Sequence, residues 1–277
     1  MIRRSMEKPT MLLRSLALTI ALVAAAPMAA QAKTLCTAFA DAATGKVLKQ
    51  EGECGTRVFA ASTFKIAISL MGYDSGFLTD AHEPALPFKK GYPDWIPAWK
   101  ATTDPTSWIK NSVVWYSQQI TKYLGEKRFQ HYVSEFHYGN EDVSGDPGKH
   151  NGLSRSWLSS SLKISPLEQL AFLGRLVNRQ LPVTAHAYDM TSRITIVGTL
   201  PNGWEIHGKT GAGAPRNADG TFANNRAYGW FVGWAVKGKR TIVFARLIQN
   251  ERKEAVSPGL RTREAMMKEL PALLDSL

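Results

Sequence analysis

The sequence has only two cysteines, no dense basic tract and, beyond its first 32 residues, no long apolar run. Neither a Cys-x-x-Cys nor a His-x-x-x-His spacing occurs, so we expect no metal site. No later segment reaches the ~18 uncharged apolar residues that a membrane span needs. Internal repeats and low-complexity segments are also lacking, which is typical of an ordinary globular protein.

The first 32 residues are typical of a secretory leader. Four basic residues precede the apolar stretch 15–27, and a small-x-small cleavage site ends at Ala32. We therefore expect residues 1–32 to be a signal peptide, residues 33–277 to be the exported domain, and no membrane association after the leader is removed. An uncleaved N-terminal anchor is the alternative.

The chain is basic, with a formal net charge of +11. The leader carries four basic residues and one acidic residue, so its removal leaves +8. Such a charge suits nucleic acid, but the basic residues are scattered and the chain is exported, so we expect no nucleic-acid partner. A basic surface weakly favours a substrate that bears a carboxylate.

The two cysteines flank a predicted hairpin. Residues 34–40 and 46–50 are typical of strands, and Thr44-Gly45 is typical of the turn between them. This hairpin brings Cys54 alongside Cys36, and a disulfide is therefore predicted in a compartment that permits one. Two free thiols are the alternative.

The middle third of the chain is predicted to be helical, after a loop at 80–106 rich in proline and aromatic residues. The late part of the chain has the alternating and β-rich stretches that are typical of strands, with a turn at Gly238 between the last two, and a last helix ends the chain. The predicted helices are 108–123, 125–136, 166–178 and 258–274, and the late strands are 204–209, 226–236 and 241–249. We expect an α/β (α+β) fold: a five-stranded antiparallel sheet flanked by terminal helices, with an all-helical lobe, roughly 66–189, inserted.

The segment from Ala60 to Met71 is almost wholly apolar, apart from Ser62 and Lys65. Residues three apart lie on one face of a helix, and an apolar helix is normally buried. Burial lowers the pKa of a lysine, and a neutral amine beside a hydroxyl is a base beside a nucleophile. The segment therefore predicts a nucleophilic serine.

Ser-x-x-Lys also occurs at Ser107 and Ser160, so the pattern alone is weak. Ser62 is distinguished by two motifs later in the chain, Ser112-Val113-Val114 and then Lys209-Thr210-Gly211. Penicillin-recognising serine enzymes have the same order of a Ser-x-x-Lys, a polar triplet and a Lys-Thr-Gly. The three together are specific, although each by itself is not.

From about residue 34 to its C-terminus, the chain resembles the class D, oxacillinase-type serine β-lactamases. The matching pieces are Ser62-Thr-Phe-Lys65, Ser112-x-Val114, Tyr138-Gly-Asn140, Trp157 ahead of Leu162-Lys-Ile-Ser165, Lys209-Thr-Gly211 and Tyr228-Gly-Trp-Phe-Val-Gly233. The resemblance implies the β-lactamase-like fold. Class A enzymes and many penicillin-binding proteins resemble Ser-Asx-Asn at the triplet, where this chain has valine.

The resemblance implies roles for individual residues. Ser62, Lys65, Ser112 and Lys209 would be catalytic, with Lys65 carboxylated on Nζ by carbon dioxide or bicarbonate and no other cofactor. The backbone N–H groups of Ser62 and Ala212 would form an oxyanion hole. Trp157, Val114 and Phe64 would support the carboxylated lysine, and Val114, Thr210, Gly211 and Arg261 would bind substrate. Arg263 competes with Arg261 for the substrate carboxylate.

The implied function is hydrolysis of the β-lactam amide of penicillins and related antibiotics in the bacterial periplasm, which would confer resistance. A penicillin-binding transpeptidase or carboxypeptidase is one alternative, and a β-lactam sensor that does not turn over is another. The partner is a small β-lactam, and the protein is expected to be a monomer or a homodimer. Substrate spectrum and inhibitor sensitivity depend on the loops 80–106 and 213–225.

Overall fold

The structure is a computed structural model that describes residues 1–2 and 32–277. The predicted signal peptide, residues 1–32, lies almost wholly outside the described residues. Residues 32–277 lie within one compact unit. Within the part of the chain that the structure describes, no helix is both long and apolar enough to cross a membrane.

The centre of the fold is an antiparallel sheet of six strands in the order β2-β1-β8-β7-β6-β5. The strands are β1 (Lys33–Asp41), β2 (Val47–Gly52), β5 (Ile196–Thr199), β6 (Glu205–Gly213), β7 (Tyr228–Lys237) and β8 (Arg240–Gln249). The remaining strands, β3 (Val58–Phe59) and β4 (Lys163–Ile164), pair separately. The predicted mixed architecture is confirmed, but the prediction of five sheet strands is wrong. The sixth strand, β5, has only four residues and a register shift between Ile196 and Gly198, so it lacks the alternation that indicates a strand.

Seven helices were found in the described residues. They are α1 (Lys65–Asp74), α2 (Pro105–Asn111), α3 (Val114–Glu135), α4 (Gly152–Arg155), α5 (Pro166–Val177), α6 (Ala185–Ile194) and α7 (Pro258–Ser276). Helix α7 covers one face of the sheet through a core that contains Phe39, Phe231 and Leu270. Helix α5 lies against β1 and β8, and α1 packs against α3 and α6. Of the predicted terminal helices, only the C-terminal one, α7, is found, since the part of the chain described from residue 32 onwards begins with strand β1.

The predicted helix 108–123 is in fact two helices. Helix α2 begins with a capping box between Asp104 and Ser107, and it ends at Ser112, whose φ of 56° is left-handed. Helix α3 then starts at Val114, and Gly125 interrupts it with a φ of 72°. Apolar residues continue across the break, which is why the pattern alone predicted one helix.

The hairpin of β1 and β2 places the two cysteines together. Cys36 lies opposite Gly52 in the strand register, two residues before Cys54. The structure joins Cys36 and Cys54 in a disulfide. Both cysteines are buried, so the bridge joins β1 to the segment after β2 within the core.

Candidate active site

Ser62 and Lys65 meet where a 3₁₀ turn, Ala61–Phe64, runs into α1. Lys65 Nζ donates a hydrogen bond to Ser62 Oγ over 3.1 Å. Ser62 is partly exposed, whereas Lys65 is fully buried. Ala61, directly before the serine, has a φ of 49°, which is uncommon for a residue other than glycine. Backbone strain of this kind clusters at functional sites.

The amine of Lys65 lies in an apolar environment. Burial, followed by the positive charge of Lys209, lowers its pKa well below the usual value. Its chain neighbour Phe64 and the cleft residue Val114 are both buried. Because the ammonium form is disfavoured, the lysine can serve as a neutral base or nucleophile next to the serine hydroxyl.

Trp157 lies against Phe64, with the ring centroids 5.9 Å apart. Its side chain is fully buried, and its Nε1 finds no hydrogen-bond acceptor among the described residues. Buried donors without a partner are rare because each loses its hydrogen bonds to water. This indole N–H could therefore donate to an acceptor that the unmodified side chains around it do not supply.

Strand β6 brings a second lysine to the same place. Lys209 is buried, and its Nζ donates to the carbonyl oxygen of Thr210 over 3.2 Å. Burial, followed by the charge of Arg263, lowers the pKa of Lys209 to about 7. Near neutral pH this side chain is thus divided between its charged and neutral forms.

Gly211 allows β6 to approach the serine. A Cβ atom at Gly211 would lie 3.0 Å from Thr63 Cγ2 and 3.2 Å from Thr63 N. A side chain there would press on the residue that follows Ser62, so glycine favours the close approach of β6 to the turn. Ala212, the next residue, lines a cleft that Ser62 also lines.

These residues surround one cleft of about 780 Å³. The predicted site residues that line it are Ser62, Ser112, Val114, Lys209, Thr210, Gly211 and Ala212. Ser112 occupies the left-handed turn between α2 and α3, where it ends one helix and faces the cleft. The structure therefore brings together residues from three distant parts of the sequence.

The two candidate arginines lie in different environments. Arg263 is exposed and lines the cleft. Arg261 does not line it and instead donates from its guanidinium to Asn250 Oδ1. The two residues lie on different sides of α7 because two positions along a helix are about 200° apart. The lining of the cleft thus includes Arg263 and not Arg261, and the choice between them for the substrate carboxylate stays a prediction.

The other Ser-x-x-Lys serines have local roles. Ser107 completes the cap of α2, and Ser160 donates to the carboxylate of Asp146. His207, another polar residue of β6, stacks flat on Trp234 and contacts the carbonyl of Ser192. None of the three lines the cleft.

The apolar mouth of the cleft was not predicted from the sequence. Trp95, Ile96 and Leu260 line it and are at least 45% exposed. Leu158, next to Trp157, lines its interior. The only sequence signal was the richness of the loop 80–106 in proline and aromatic residues. Among the described residues, no cluster of three His, Cys, Asp or Glu side chains could hold a metal ion.

Comparison with known proteins agrees with this site. Residues 35–271 match the family model described as the penicillin binding protein transpeptidase domain. The β-lactamase OXA-9 of Klebsiella pneumoniae is 46% identical over 245 residues, covering 87% of this chain and 88% of that protein. The β-lactamase OXA-1 of Escherichia coli is 38% identical, covering 73% of this chain and 70% of that protein.

A solved structure leads to the same family. The crystal structure of the class D β-lactamase OXA-427 is 48% identical and superposes with a TM-score of 0.83. The match covers 87% of this chain and 98% of that one. The contact of the buried Lys65 with Ser62 and the Lys-Thr-Gly of the neighbouring strand β6 point to the same family as these relatives. The chain belongs to the class D serine β-lactamases.

Proposed function

We propose that this protein hydrolyses the amide bond of penicillins and related β-lactams through an acyl-enzyme on Ser62, with Lys65, carboxylated on Nζ, as the general base. The observation that carries the proposal is the contact of 3.1 Å between Lys65 Nζ and Ser62 Oγ inside an apolar pocket. A nucleophile and a base within hydrogen-bond reach are the minimum that acyl transfer requires.

The environment of Lys65 supports carboxylation. Only a neutral amine adds to carbon dioxide, forming a new N–C bond as a proton leaves, and burial lowers the pKa of this amine and so favours its neutral form. The orphaned Trp157 Nε1 would donate to the new carboxylate, and Phe64 and Val114 would keep water away from it. When bound, this group supplies a carboxylate base whose protonation suits neutral pH.

The chain's own residues account for the rest of acylation. Ser62 Oγ loses its proton towards the Lys65 side chain and attacks the carbonyl carbon of the β-lactam. The backbone N–H groups of Ser62 and Ala212 would stabilise the oxyanion, and the loss of one such donor typically costs about 3 kcal/mol. Ser112, which also lines the cleft, would pass a proton to the leaving nitrogen.

The positive groups of the cleft would bind the substrate carboxylate. Arg263 is the exposed guanidinium that lines the cleft, and guanidinium matches a carboxylate with two parallel hydrogen bonds. Lys209, with its pKa near 7, would gain a proton when the substrate's negative charge enters beside it. Thr210 and Gly211 would form the edge along which the substrate lies.

The setting proposed for this reaction is the periplasm. The basic and apolar pattern of residues 1–32 supports export, and the disulfide between Cys36 and Cys54 suits an oxidising compartment. The chain would act as a monomer or a homodimer.

Steady-state hydrolysis tests the proposal. The purified exported protein is given penicillin, oxacillin and a chromogenic cephalosporin, before and after acidic decarboxylation, with and without bicarbonate. We expect fast turnover that bicarbonate restores, and no turnover for Ser62→Ala. A stoichiometric burst without further turnover would instead indicate a penicillin-binding or sensing protein. Turnover that never responds to bicarbonate would keep the hydrolase but remove the carboxylated Lys65.

A further inference from the structure

Asp146 lies in the segment that joins α3 to β4, which includes the short helix α4, and Asp146 does not line the cleft. Its Oδ1 accepts hydrogen bonds from Ser160 Oγ at 2.8 Å and from an Arg216 guanidinium nitrogen at 3.0 Å. Its Oδ2 accepts from Asn151 Nδ2 at 3.1 Å and lies 3.6 Å from Arg155 Nε. Four side chains thus converge on one partly buried carboxylate.

Three of these partners belong to the same segment. Asn151, Arg155 and Ser160 follow Asp146 in it, with Arg155 in α4, and the Asp146 backbone N–H also donates to Asn151 Oδ1 at 2.8 Å. Trp157 and Leu158 lie between Arg155 and Ser160. The residue with the orphaned indole therefore lies between two residues that contact Asp146.

The fourth partner comes from the loop between β6 and β7. Arg216 is held on its own side, because it donates to the Gly220 carbonyl at 2.9 Å and lies 4.5 Å over the ring of Phe222. Arg216 is therefore a fixed part of that loop. Its pairing with Asp146 joins two segments that are 70 residues apart in sequence.

A second contact joins the same two loops closer to the cleft. The backbone N–H of Ala214 donates to Ser159 Oγ at 3.1 Å. Ala214 is two residues beyond Ala212, at the end of the strand that carries Lys209. The two segments consequently meet at two points, Asp146 with Arg216 and Ser159 with Ala214.

The charge of Asp146 is maintained at neutral pH. Burial by itself would raise its pKa, but the hydrogen bonds from Ser160 and Asn151 and the charges of Arg155 and Arg216 lower it below the usual value. The carboxylate is thus ionised throughout the range in which the enzyme works, and its hold on the four partners does not vary there.

We propose that Asp146 is a positioning residue that holds Trp157 in place by tying its loop to the β6–β7 loop through Arg216. This inference rests on the proposed carboxylation of Lys65, because the indole acts only when it has a carboxylate to donate to. If the tie is broken, the segment that carries Trp157 is held less firmly and its indole N–H is less well placed, so Lys65 binds carbon dioxide more weakly and the enzyme needs more bicarbonate. Asp146 itself touches neither substrate nor Lys65.

The test compares Asp146→Asn, Arg216→Ala and the double variant with the unmodified protein. We measure the bicarbonate concentration for half-maximal activity and the carbamate signal in ¹³C NMR with labelled bicarbonate. Each single variant should raise the half-maximal concentration about five-fold, equivalent to ~1 kcal/mol, the scale of a partly exposed ion pair. The double variant should be no worse than the more affected single one, because both remove the same interaction.

Asp189→Asn is the matched control. Asp189 also pairs with an arginine, Arg179, but both side chains are more than half exposed on another surface. This variant should keep the wild-type bicarbonate response. If Asp146→Asn and Arg216→Ala lower the melting temperature but leave the bicarbonate response and the ¹³C signal unchanged, Asp146 is only structural and the proposal is wrong.

Hydrogen exchange separates this inference from the proposed function. If the unmodified protein shows no carbamate signal, the proposed role of Lys65 fails independently of Asp146. The tie is then tested by the exchange of peptides that cover 151–162 and 212–223. Both should exchange faster together in Arg216→Ala, which alters only the β6–β7 side of the pair and so avoids any folding defect of Asp146→Asn. Faster exchange in only one of the two segments would overturn the tie.

Discussion

Lys209 contributes to the pH dependence of this protein's stability, and the variant Lys209→Met should remove that contribution. The pKa of Lys209 is about 7 in the folded protein, against 10.5 for the free side chain. The unfolded chain therefore binds more protons than the folded one between these values. By linkage, the free energy of unfolding rises with pH across this window.

The size of the effect follows from the two pKa values. The full difference corresponds to roughly 5 kcal/mol, and the part gained between pH 7 and pH 9 is roughly 2 kcal/mol. For a domain of this size, that gain corresponds to about 5 °C in Tm. Methionine has a similar length but no charge, so in Lys209→Met this contribution is lost at every pH.

Thermal unfolding in buffers free of carbon dioxide at pH 7, 8 and 9 measures the effect. The advantage of Lys209→Met over the unmodified protein should shrink by roughly 2 kcal/mol between pH 7 and pH 9. Lys268→Met is the control, because Lys268 is exposed beside Glu264 on α7 and should leave the pH profile unchanged. Parallel profiles for Lys209→Met and the unmodified protein would show that the lysine is not desolvated in solution, and would refute the reasoning.

Three further predictions concern the site. Trp157→Phe keeps a ring against Phe64 but removes the indole N–H. Bicarbonate titration should then show at least about ten-fold weaker carboxylation of Lys65, since hydrogen bonds to charged groups contribute about 1.5–3 kcal/mol. Unchanged carboxylation would show that Trp157 does not support the carboxylated lysine. Val114→Asp puts a carboxylate into the apolar pocket, so activity should become strongly dependent on added bicarbonate, and an unchanged dependence would count against a carboxylated Lys65. Arg263→Ala should raise KM for penicillin about ten-fold, because it deletes a bidentate partner of the substrate carboxylate. Arg261→Ala should leave KM nearly unchanged and lower Tm. The reverse pattern would assign the binding of the carboxylate to Arg261.

Local signals predicted several elements closely. Helix α5 was predicted at 166–178 and occupies Pro166–Val177. Ser165, Pro166 and Glu168 carry the reason, because a capping box and a proline at the first helical position specify a helix start without help from the rest of the fold. Strand β8 was predicted at 241–249 and begins one residue earlier.

Other elements were mispredicted because distant residues decide them. Strand β5 is short and bulged, and it exists because β6 offers it an edge to pair with. The break between α2 and α3 depends on Ser112 adopting a left-handed conformation that no local pattern required. In both cases, tertiary contacts outweigh the local preferences of a few residues.

The sequence by itself determined which chemical groups this protein has and which family it belongs to. The spacing of Ser62 and Lys65 places them on one helical face, and Lys209-Thr-Gly follows in the order that the family requires. These facts depend on the geometry of a helix and on the order of residues along the chain, and both can be taken directly from the sequence.

Only the tertiary structure decided how those groups are tuned. Desolvation and the charge of Lys209 lower the pKa of Lys65, and the side of α7 that faces the cleft carries Arg263 but not Arg261. The tie between Asp146 and Arg216 likewise joins loops 70 residues apart. Burial, charge proximity and such contacts are properties of distances in space, which a linear sequence specifies only once it has folded.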